Sequence, residues 1–348
     1  MKTIWSFFCF FCLSLIGTQA WGQTYKTVQM KAFQIYFDKN KHDVTSEAKA
    51  ILDSIAFILE KNNTLLLEVQ GHTDSRGSYS SNMLLSEKRV TNVLNYFAER
   101  SVDTTKIKKL AMGENKLAVK EVSDEALSKN RRVEIFISRN FLFKPLTGIV
   151  LDDSTGLGLK AKVFLNSLFY KDSVSTDSAG KYSILIPEGL NSLLTIRSKK
   201  YMFEQIPLKT GSIAGSNVLT HKIAKLTANK KLTIKNIYFK GGEDVILETS
   251  LNALMALQNV LIENPTLAIE IQGHVNHPGA PAGDPNHTIF KLSEARAKAV
   301  YMYLIENNIA PERLGHKGFS NFFMVFPSPK SEEQHAANRR VEIFVKKI

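Results

Sequence analysis

The stretch Gly71-His72-Thr73-Asp74-Ser75-Arg76-Gly77, followed by Leu85-Ser86-Glu87-Lys88-Arg89, decides the fold of this chain. The residues just before it, Thr64 to Gln70, are rich in Leu and Val and predict a buried strand. Apolar residues recur after it at helical spacing, at Val90, Val93, Leu94 and Phe97. A helix is therefore expected to begin near Ser86, whose hydroxyl suits an N-cap.

Arg89 falls in the first turn of that expected helix, where side chains lean back toward the N-terminus. The sequence thus predicts that Asp74 and Arg89 lie at one exposed cleft, beside the positive end of a helix. Such a pair suits a zwitterionic amino-acid end, because Arg binds carboxylates in a planar, bidentate manner. A structural salt bridge between loop and helix is the equal alternative from spacing alone.

The pattern G-H-T-D-x-x-G, then N-x-x-L-S-x-x-R from Asn82, then Asn130-Arg131-Arg132-Val133-Glu134, resembles the outer-membrane protein A C-terminal-like family. The resemblance covers residues 33 to 140, and peptidoglycan-associated lipoproteins and flagellar stator proteins share this domain. It implies binding to the diaminopimelate of uncrosslinked peptidoglycan stems, with Asp74 holding the ammonium and Arg89 the carboxylate.

The resemblance adds further candidates for the ligand site. Asp38, at the end of the first strand, would line the cleft, and a turn role is its equal alternative. Thr73 could offer its hydroxyl to the ligand, whereas Asn82 is expected mainly to support the loop. One of Arg131 and Arg132 is expected to face the interior and the other solvent, because side chains alternate along a strand. The family places one arginine of this pair near the cleft, and Arg131 is the candidate.

The fold class expected for residues 30–142 is α+β, with helices on one face of a mixed sheet. Phe33 to Phe37 reads as a strand, and a helix capped by Thr45 or Ser46 follows. The helix is predicted from one apolar face, formed by Ala48, Ile51, Leu52, Ile55, Ile58 and Leu59. Further strands are expected near residues 108–112 and 132–138.

Residues 143–226 change character, with short alternating segments broken by Gly, Asp and Ser. This pattern predicts an all-β domain with Ser178-Ala179-Gly180 at a hairpin tip. The segment resembles the carboxypeptidase regulatory-like sandwich, through its T-D-S-x-G-x-Y stretch and its Pro-Glu-Gly turn. The resemblance implies a non-catalytic spacer or adhesion module.

The first pattern returns in residues 230–348, which makes an internal repeat of the two-layer α/β domain. Arg296 and Arg339 are kept, and Ser293 is the expected helix cap. Asn276 stands where the first copy has Asp74, and Lys240 where it has Asp38. The loop from Asn276 to Lys291 is longer and carries Pro278, Pro281 and Pro285. The second copy is therefore expected to have lost or altered recognition of the amino-acid end.

Residues 1–22 read as a secretory signal, with an apolar stretch too short to span a bilayer comfortably. Cys9 and Cys12 both fall inside it, so no disulfide is expected in the exported protein. The net charge of +12 suggests an anionic environment. The absence of long Lys/Arg runs and of nucleic-acid motifs argues against nucleic acid as a partner.

Catalytic and metal-binding patterns are not evident. His72, His274, His277 and His287 lack zinc-site spacing, and no nucleophile elbow or paired acid/base spacing occurs. We therefore expect no metal, no cofactor and no enzyme. The sequence indicates an exported periplasmic protein that does not span the membrane and binds peptidoglycan and possible envelope or outer-membrane proteins. The alternative is a scaffold that binds only other envelope proteins, with a vestigial cleft.

Overall fold

The structure is a computed structural model that describes residues 24–211, 218–278 and 287–348. The expected signal segment, residues 1–22, lies outside the described residues, as do Pro281 and Pro285. The chain divides into two compact units, one ending at Lys144 and the other running from Pro145 to Ile348.

The first unit is a two-layer α/β domain. Its elements are β1 (Thr24–Tyr36), α1 (Ser46–Lys61), β2 (Leu65–His72), α2 (Tyr79–Ala98), β3 (Lys108–Gly113), α3 (Asp124–Asn130) and β4 (Arg132–Asp152), the last continuing past Lys144. The strands follow the order β1-β4-β2-β3, with β4 antiparallel to β1 and β2, and β3 parallel to β2. The expected mixed sheet is confirmed.

The core of this unit lies between the helices and one sheet face. The predicted apolar face of α1 supplies Leu52 and Ile55, which are fully buried with Val69 of β2 and Phe97 of α2. Thr45 caps α1 by accepting a hydrogen bond from the Ala48 amide at 3.2 Å, as one of the two expected caps.

The predicted start of α2 is wrong. The helix begins at Tyr79, and Ser78 is its N-cap, accepting from the Ser81 amide. Ser86 lies inside the helix and is buried; its Oγ donates to the Met83 carbonyl at 2.8 Å and accepts from the Gly113 amide at 3.0 Å. Ser86 therefore joins α2 to the end of β3. The run from Ser78 to Asn82 is mostly polar and carries no apolar stripe, so hydrophobic periodicity did not predict the first turn of the helix.

Gly71 explains why the motif begins with glycine. A Cβ added there would collide with the backbone carbonyl of Ser86 and with the side chain of Val90. Strand β2 and helix α2 thus meet backbone to backbone at this position. Gly273 meets the carbonyl of Ser293 in the same way.

Between Pro145 and residue 226 the described residues form strands: β5 (Lys162–Ser167), β6 (Lys171–Ser175), β7 (Lys181–Pro187), β8 (Ser192–Arg197), β9 (Glu204–Leu208) and β10 (Leu219–Ile223). One sheet has the order β6-β5-β8-β9, whereas β7 and β10 pair with β4. The expected hairpin at Ser178-Ala179-Gly180 is therefore wrong, because this turn joins strands of two different sheets. Asp177 holds the turn by accepting from the amides of Ala179 and Lys181 at 2.9 and 2.8 Å.

The rest of the second unit repeats the first topology. Its elements are β11 (Lys231–Ile234), α4 (Leu251–Glu263), β12 (Ala268–Gly273), α5 (Thr288–Glu306), β13 (Leu314–Gly318), α6 (Glu332–Asn338) and β14 (Val341–Lys347). The strand order β11-β14-β12-β13 matches β1-β4-β2-β3.

The expected cap of α5 is wrong in the same way as that of α2. Its N-cap is His287, and Ser293 is buried inside the helix, where it accepts from the Ser320 amide at 2.9 Å. No helix in the described residues is both long enough and apolar enough to cross a bilayer.

Candidate functional site

Asp74 lies two residues after the end of β2 and is 6% exposed. Its Oδ2 accepts from Nη2 of Arg76 at 2.8 Å and from Nη1 of Arg131 at 3.1 Å. Burial raises the pKa of Asp74, but the hydrogen bonds from these two guanidinium groups outweigh it and lower the pKa below its usual value. Asp74 is therefore a carboxylate at neutral pH, and Oδ1 remains for a further donor.

Arg131 reaches Asp74 because it stands at the end of α3. Hydrophobic periodicity did not predict this short helix. Arg131 is the C-cap of α3, and its Nε also donates to the Phe37 carbonyl at 3.2 Å. Arg132 begins β4, is 1% exposed and pairs with Glu134 at 3.0 Å. The expectation that one of the two arginines faces solvent is wrong, since Arg131 precedes the strand and both contact carboxylates.

Arg89 lies well inside α2 and is fully buried, so its placement in a first turn at an exposed cleft is also wrong. Its guanidinium donates to three backbone carbonyls, those of Lys41 at 3.0 Å, His72 at 2.7 Å and Asp38 at 3.2 Å. It also lies 5.1 Å from the centre of the Phe37 ring. Arg89 therefore ties the β1–α1 loop to the end of β2.

The electrostatic setting of Arg89 is unusual for a guanidinium. Burial lowers its pKa to about 10, repulsion by Arg131 acts in the same direction, and Asp74 opposes both. Three guanidinium groups, those of Arg76, Arg89 and Arg131, thus lie around the carboxylate of Asp74, and Asp124 Oδ1 lies 3.9 Å from Arg76 Nη1 at the edge of the site. The N–H groups of Arg131 that no contact uses suit an anionic ligand group.

Asp38 does not add its carboxylate to this cluster. Its side chain is 67% exposed and pairs with Lys41 Nζ at 3.1 Å, while its backbone carbonyl serves Arg89. Thr73 is buried, and among the described residues its Oγ1 has no hydrogen-bond partner. Asn82 is buried and donates to Glu114, which supports its expected role in loop structure.

A second polar group lies on the sheet beside the site. His72 is fully buried, with Nε2 3.5 Å from Oε2 of Glu134, and burial lowers the pKa of His72. Burial raises the pKa of Glu134, but the nearby His72 ring and the charge and hydrogen bond of Arg132 outweigh it and set the pKa at about 2. The described residues contain no group of three acidic, His or Cys side chains that could hold a metal ion.

The second copy keeps the scaffold and changes the charges. Arg296 is 5% exposed and donates to the carbonyls of Glu243 at 3.0 Å and Lys240 at 3.5 Å, as Arg89 does in the first copy. Asn276 is engaged by two side chains of α6, with Nδ2 2.7 Å from His335 Nδ1 and Oδ1 accepting from Asn338 at 2.8 Å. Arg339 pairs with Glu332 instead of residue 276.

Lys240 is half of an ion pair. Its Nζ lies 2.7 Å from Glu243 Oε1, which reverses the polarity of the Asp38–Lys41 pair. Both pairs are neutral as a whole, so the repulsion expected from Lys240 is largely offset. The charge difference between the two copies therefore rests on Asp74 and its partner Arg76, which Asn276 and Pro278 replace.

The fold and the site define a protein with two copies of one α/β domain. Each copy has a buried arginine, Arg89 or Arg296, that donates to backbone carbonyls of the loop after its first strand. The sequence model of the OmpA family matches residues 36–131 and 238–339, more than half of the 348 residues. The chain belongs to the OmpA family. The strands between Pro145 and residue 226 lie outside both matched segments.

Relatives and solved structures match one domain length of the chain. The peptidoglycan-associated lipoprotein of Haemophilus influenzae is 35% identical over 111 residues, which are 32% of this chain and 72% of the relative. That of Pasteurella multocida is 30% identical over 116 residues, 33% of this chain and 77% of the relative. The crystal structure of the peptidoglycan-associated lipoprotein from Burkholderia pseudomallei is 24% identical and covers 30% of this chain and 88% of that one, with a TM-score of 0.29.

Proposed function

We propose that this chain is a non-catalytic cell-envelope protein that attaches to peptidoglycan through its first copy, residues 30–142. The observation that carries the proposal is the ion pair of Asp74 and Arg131, which leaves Asp74 Oδ1 available within a group of three guanidiniums. Relatives that share a domain with the chain are named peptidoglycan-associated lipoproteins.

The ligand group would be the amino-acid end of diaminopimelate in a stem peptide. Its ammonium would bind Asp74 Oδ1, and its carboxylate would bind the outer N–H groups of Arg131, whose side chain is 14% exposed. Three of the five N–H groups of Arg89 already donate to backbone carbonyls. Arg89 would therefore not contact the ligand, and its positive charge would attract the ligand carboxylate from the core of the domain. Thr73 Oγ1 would supply one further hydrogen bond.

The other segments would support this attachment. Residues 1–22 would direct export and be removed, which places the protein in the periplasm. Residues 143–226 would form a carboxypeptidase regulatory-like sandwich and serve as a spacer. Residues 230–348 would lack recognition of the ammonium, because Asn276 offers no charge to it.

Co-sedimentation of the chain from Gln23 onward with purified sacculi tests this proposal. Asp74→Asn should weaken binding by on the order of a hundredfold, because a charge-assisted contact of this kind is worth a few kcal/mol. Asn276→Ala in the second copy is the matched control and should bind as the parent does. Equal sedimentation of the parent and Asp74→Asn would refute the site.

The second candidate function is a scaffold that binds only other envelope proteins. The hydrogen bonds of Asn276 to His335 and Asn338 favour it for the second copy, because they occupy both ends of the amide that would meet a ligand. Under this alternative, the parent chain itself would fail to sediment with sacculi.

A further inference from the structure

The second copy carries an exposed apolar segment, which we name the aromatic loop, residues 319–326 between β13 and α6. Phe322 is 49% exposed and Phe323 53%, and Val325 and Phe326 follow at 53% and 37%. Contiguous exposed apolar residues of this kind mark interaction surfaces more often than isolated ones do.

The backbone of the aromatic loop is held by the domain beneath it. Asn338 binds both the amide of Phe326 at 2.9 Å and its carbonyl at 2.7 Å. Arg340 Nη2 donates to the Phe323 carbonyl at 2.9 Å. These side chains hold the loop backbone in place without a partner. The exposure of the Phe rings is therefore not needed for the backbone hydrogen bonds of the loop.

The first copy shows that the scaffold does not require aromatic residues. Asn130 and Arg132 hold the equivalent backbone, with Arg132 Nη2 donating to the Lys116 carbonyl at 3.3 Å. Asn115 and Lys116 stand there in place of Phe322 and Phe323. The equivalent loop of the first copy exposes the aliphatic Leu117, Val119 and Val122, so the aromatic rings, and not apolar surface as such, are what the second copy adds.

Cations surround the aromatic loop. Lys231 Nζ lies 4.9 Å from the centre of the Phe323 ring and 5.1 Å from that of Phe319, and Lys317 Nζ lies 5.4 Å from Phe319. Residues 314–331 contain no Asp or Glu, and exposed Lys330 adds a further positive charge. The exposed Glu332 and Glu333 follow at the start of α6, where Glu332 pairs with Arg339.

We propose that the aromatic loop inserts into the interface of a phospholipid bilayer that carries anionic headgroups. Apolar rings on a turn flanked by lysines match the two regions of one bilayer leaflet. The rings reach the boundary of the acyl chains, and the ammonium groups stay among the headgroup phosphates. This inference is independent of the peptidoglycan proposal, because it uses other residues in the other copy.

Fluorescence of a single tryptophan tests the proposal. The chain from Gln23 onward keeps every described residue and contains no tryptophan, so Phe322→Trp reports on the loop alone. Vesicles of phosphatidylglycerol and phosphatidylcholine should shift its emission to the blue, with binding about tenfold weaker to pure phosphatidylcholine. Phe57→Trp is the matched control, since Phe57 is 62% exposed with Lys61 Nζ 5.4 Å from its ring centre, and its emission should not move.

Vesicle flotation with untagged variants supplies the second readout. Phe322→Ser combined with Phe323→Ser should weaken flotation by on the order of a hundredfold, and Phe57→Ser should leave it unchanged. Circular dichroism checks that both variants fold. The proposal is overturned if anionic vesicles leave the Phe322→Trp emission in place, or if they move the Phe57→Trp emission equally. A blue shift that grows with protein concentration in the absence of lipid would also overturn it, since the loop would then dock on a second copy of the chain.

Discussion

Arg131 donates to the carboxylate of Asp74 at 3.1 Å, whereas the three hydrogen bonds of Arg89 go to backbone carbonyls. The two arginines therefore have different roles in one site. Arg131 belongs to the surface that a ligand would meet, and Arg89 belongs to the core that shapes it.

Replacement of Arg89 by leucine should destabilise the first unit by about 3 kcal/mol or more, because three backbone carbonyls, that of His72 buried, lose their donor. The measurement is urea unfolding followed by circular dichroism. Arg76→Gln is the control, since the Arg76 side chain is 39% exposed and its loss should cost less than about 1 kcal/mol. Equal stability of Arg89→Leu and the parent would show that the carbonyl contacts do not hold the loop.

Gly71→Ala should destabilise the first unit by about 1–3 kcal/mol, because the added methyl group meets the Ser86 carbonyl and the backbones must separate. Gly273→Ala should do the same in the second copy. Gly241→Ala is the matched control, since nothing lies within 4 Å of a Cβ added there. Thermal unfolding of the three variants measures the effect, and a neutral Gly71→Ala would contradict the close helix–strand approach.

Acid should destabilise the first unit between about pH 4.5 and pH 2. The pKa of Glu134 is about 2 in the folded protein against an ordinary value of 4.5, so the unfolded chain takes up the proton first. The stabilisation is present above pH 4.5 and is lost as the pH falls toward 2. Burial also lowers the pKa of His72, so its protonation opposes folding below its ordinary value of 6.5.

Urea midpoints measured from pH 7 to pH 2 check this dependence. Glu134→Gln should be less stable than the parent at pH 7, because Arg132 loses its partner, and its midpoint should change less between pH 4.5 and 2. Glu342→Gln is the matched variant of the second copy, where the pKa of Glu342 is also about 2. Parallel pH profiles for the parent and Glu134→Gln would count against Glu134 as the titrating group.

The sequence was sufficient for the parts of the fold that periodicity controls. The apolar face around Leu52 and Ile55 predicted α1, and the repeat of Gly-His before Ser-Glu predicted the second copy. It was not sufficient for the start of α2, because Ser78 and Ser86 are equally good caps and only the contact of Ser86 with Gly113 separates them. The Asp74–Arg131 pair was not predicted either, since α3 is seven residues long and carries no clear apolar stripe.

The most direct test of the account is calorimetric titration of the chain from Gln23 onward with diaminopimelate. We predict one equivalent bound per chain, loss of that binding in Asp74→Asn, and parent-like affinity in Asn276→Ala. Two equivalents per chain, or unchanged affinity in a folded Asp74→Asn variant, would contradict the assignment of ligand binding to the Asp74–Arg131 pair.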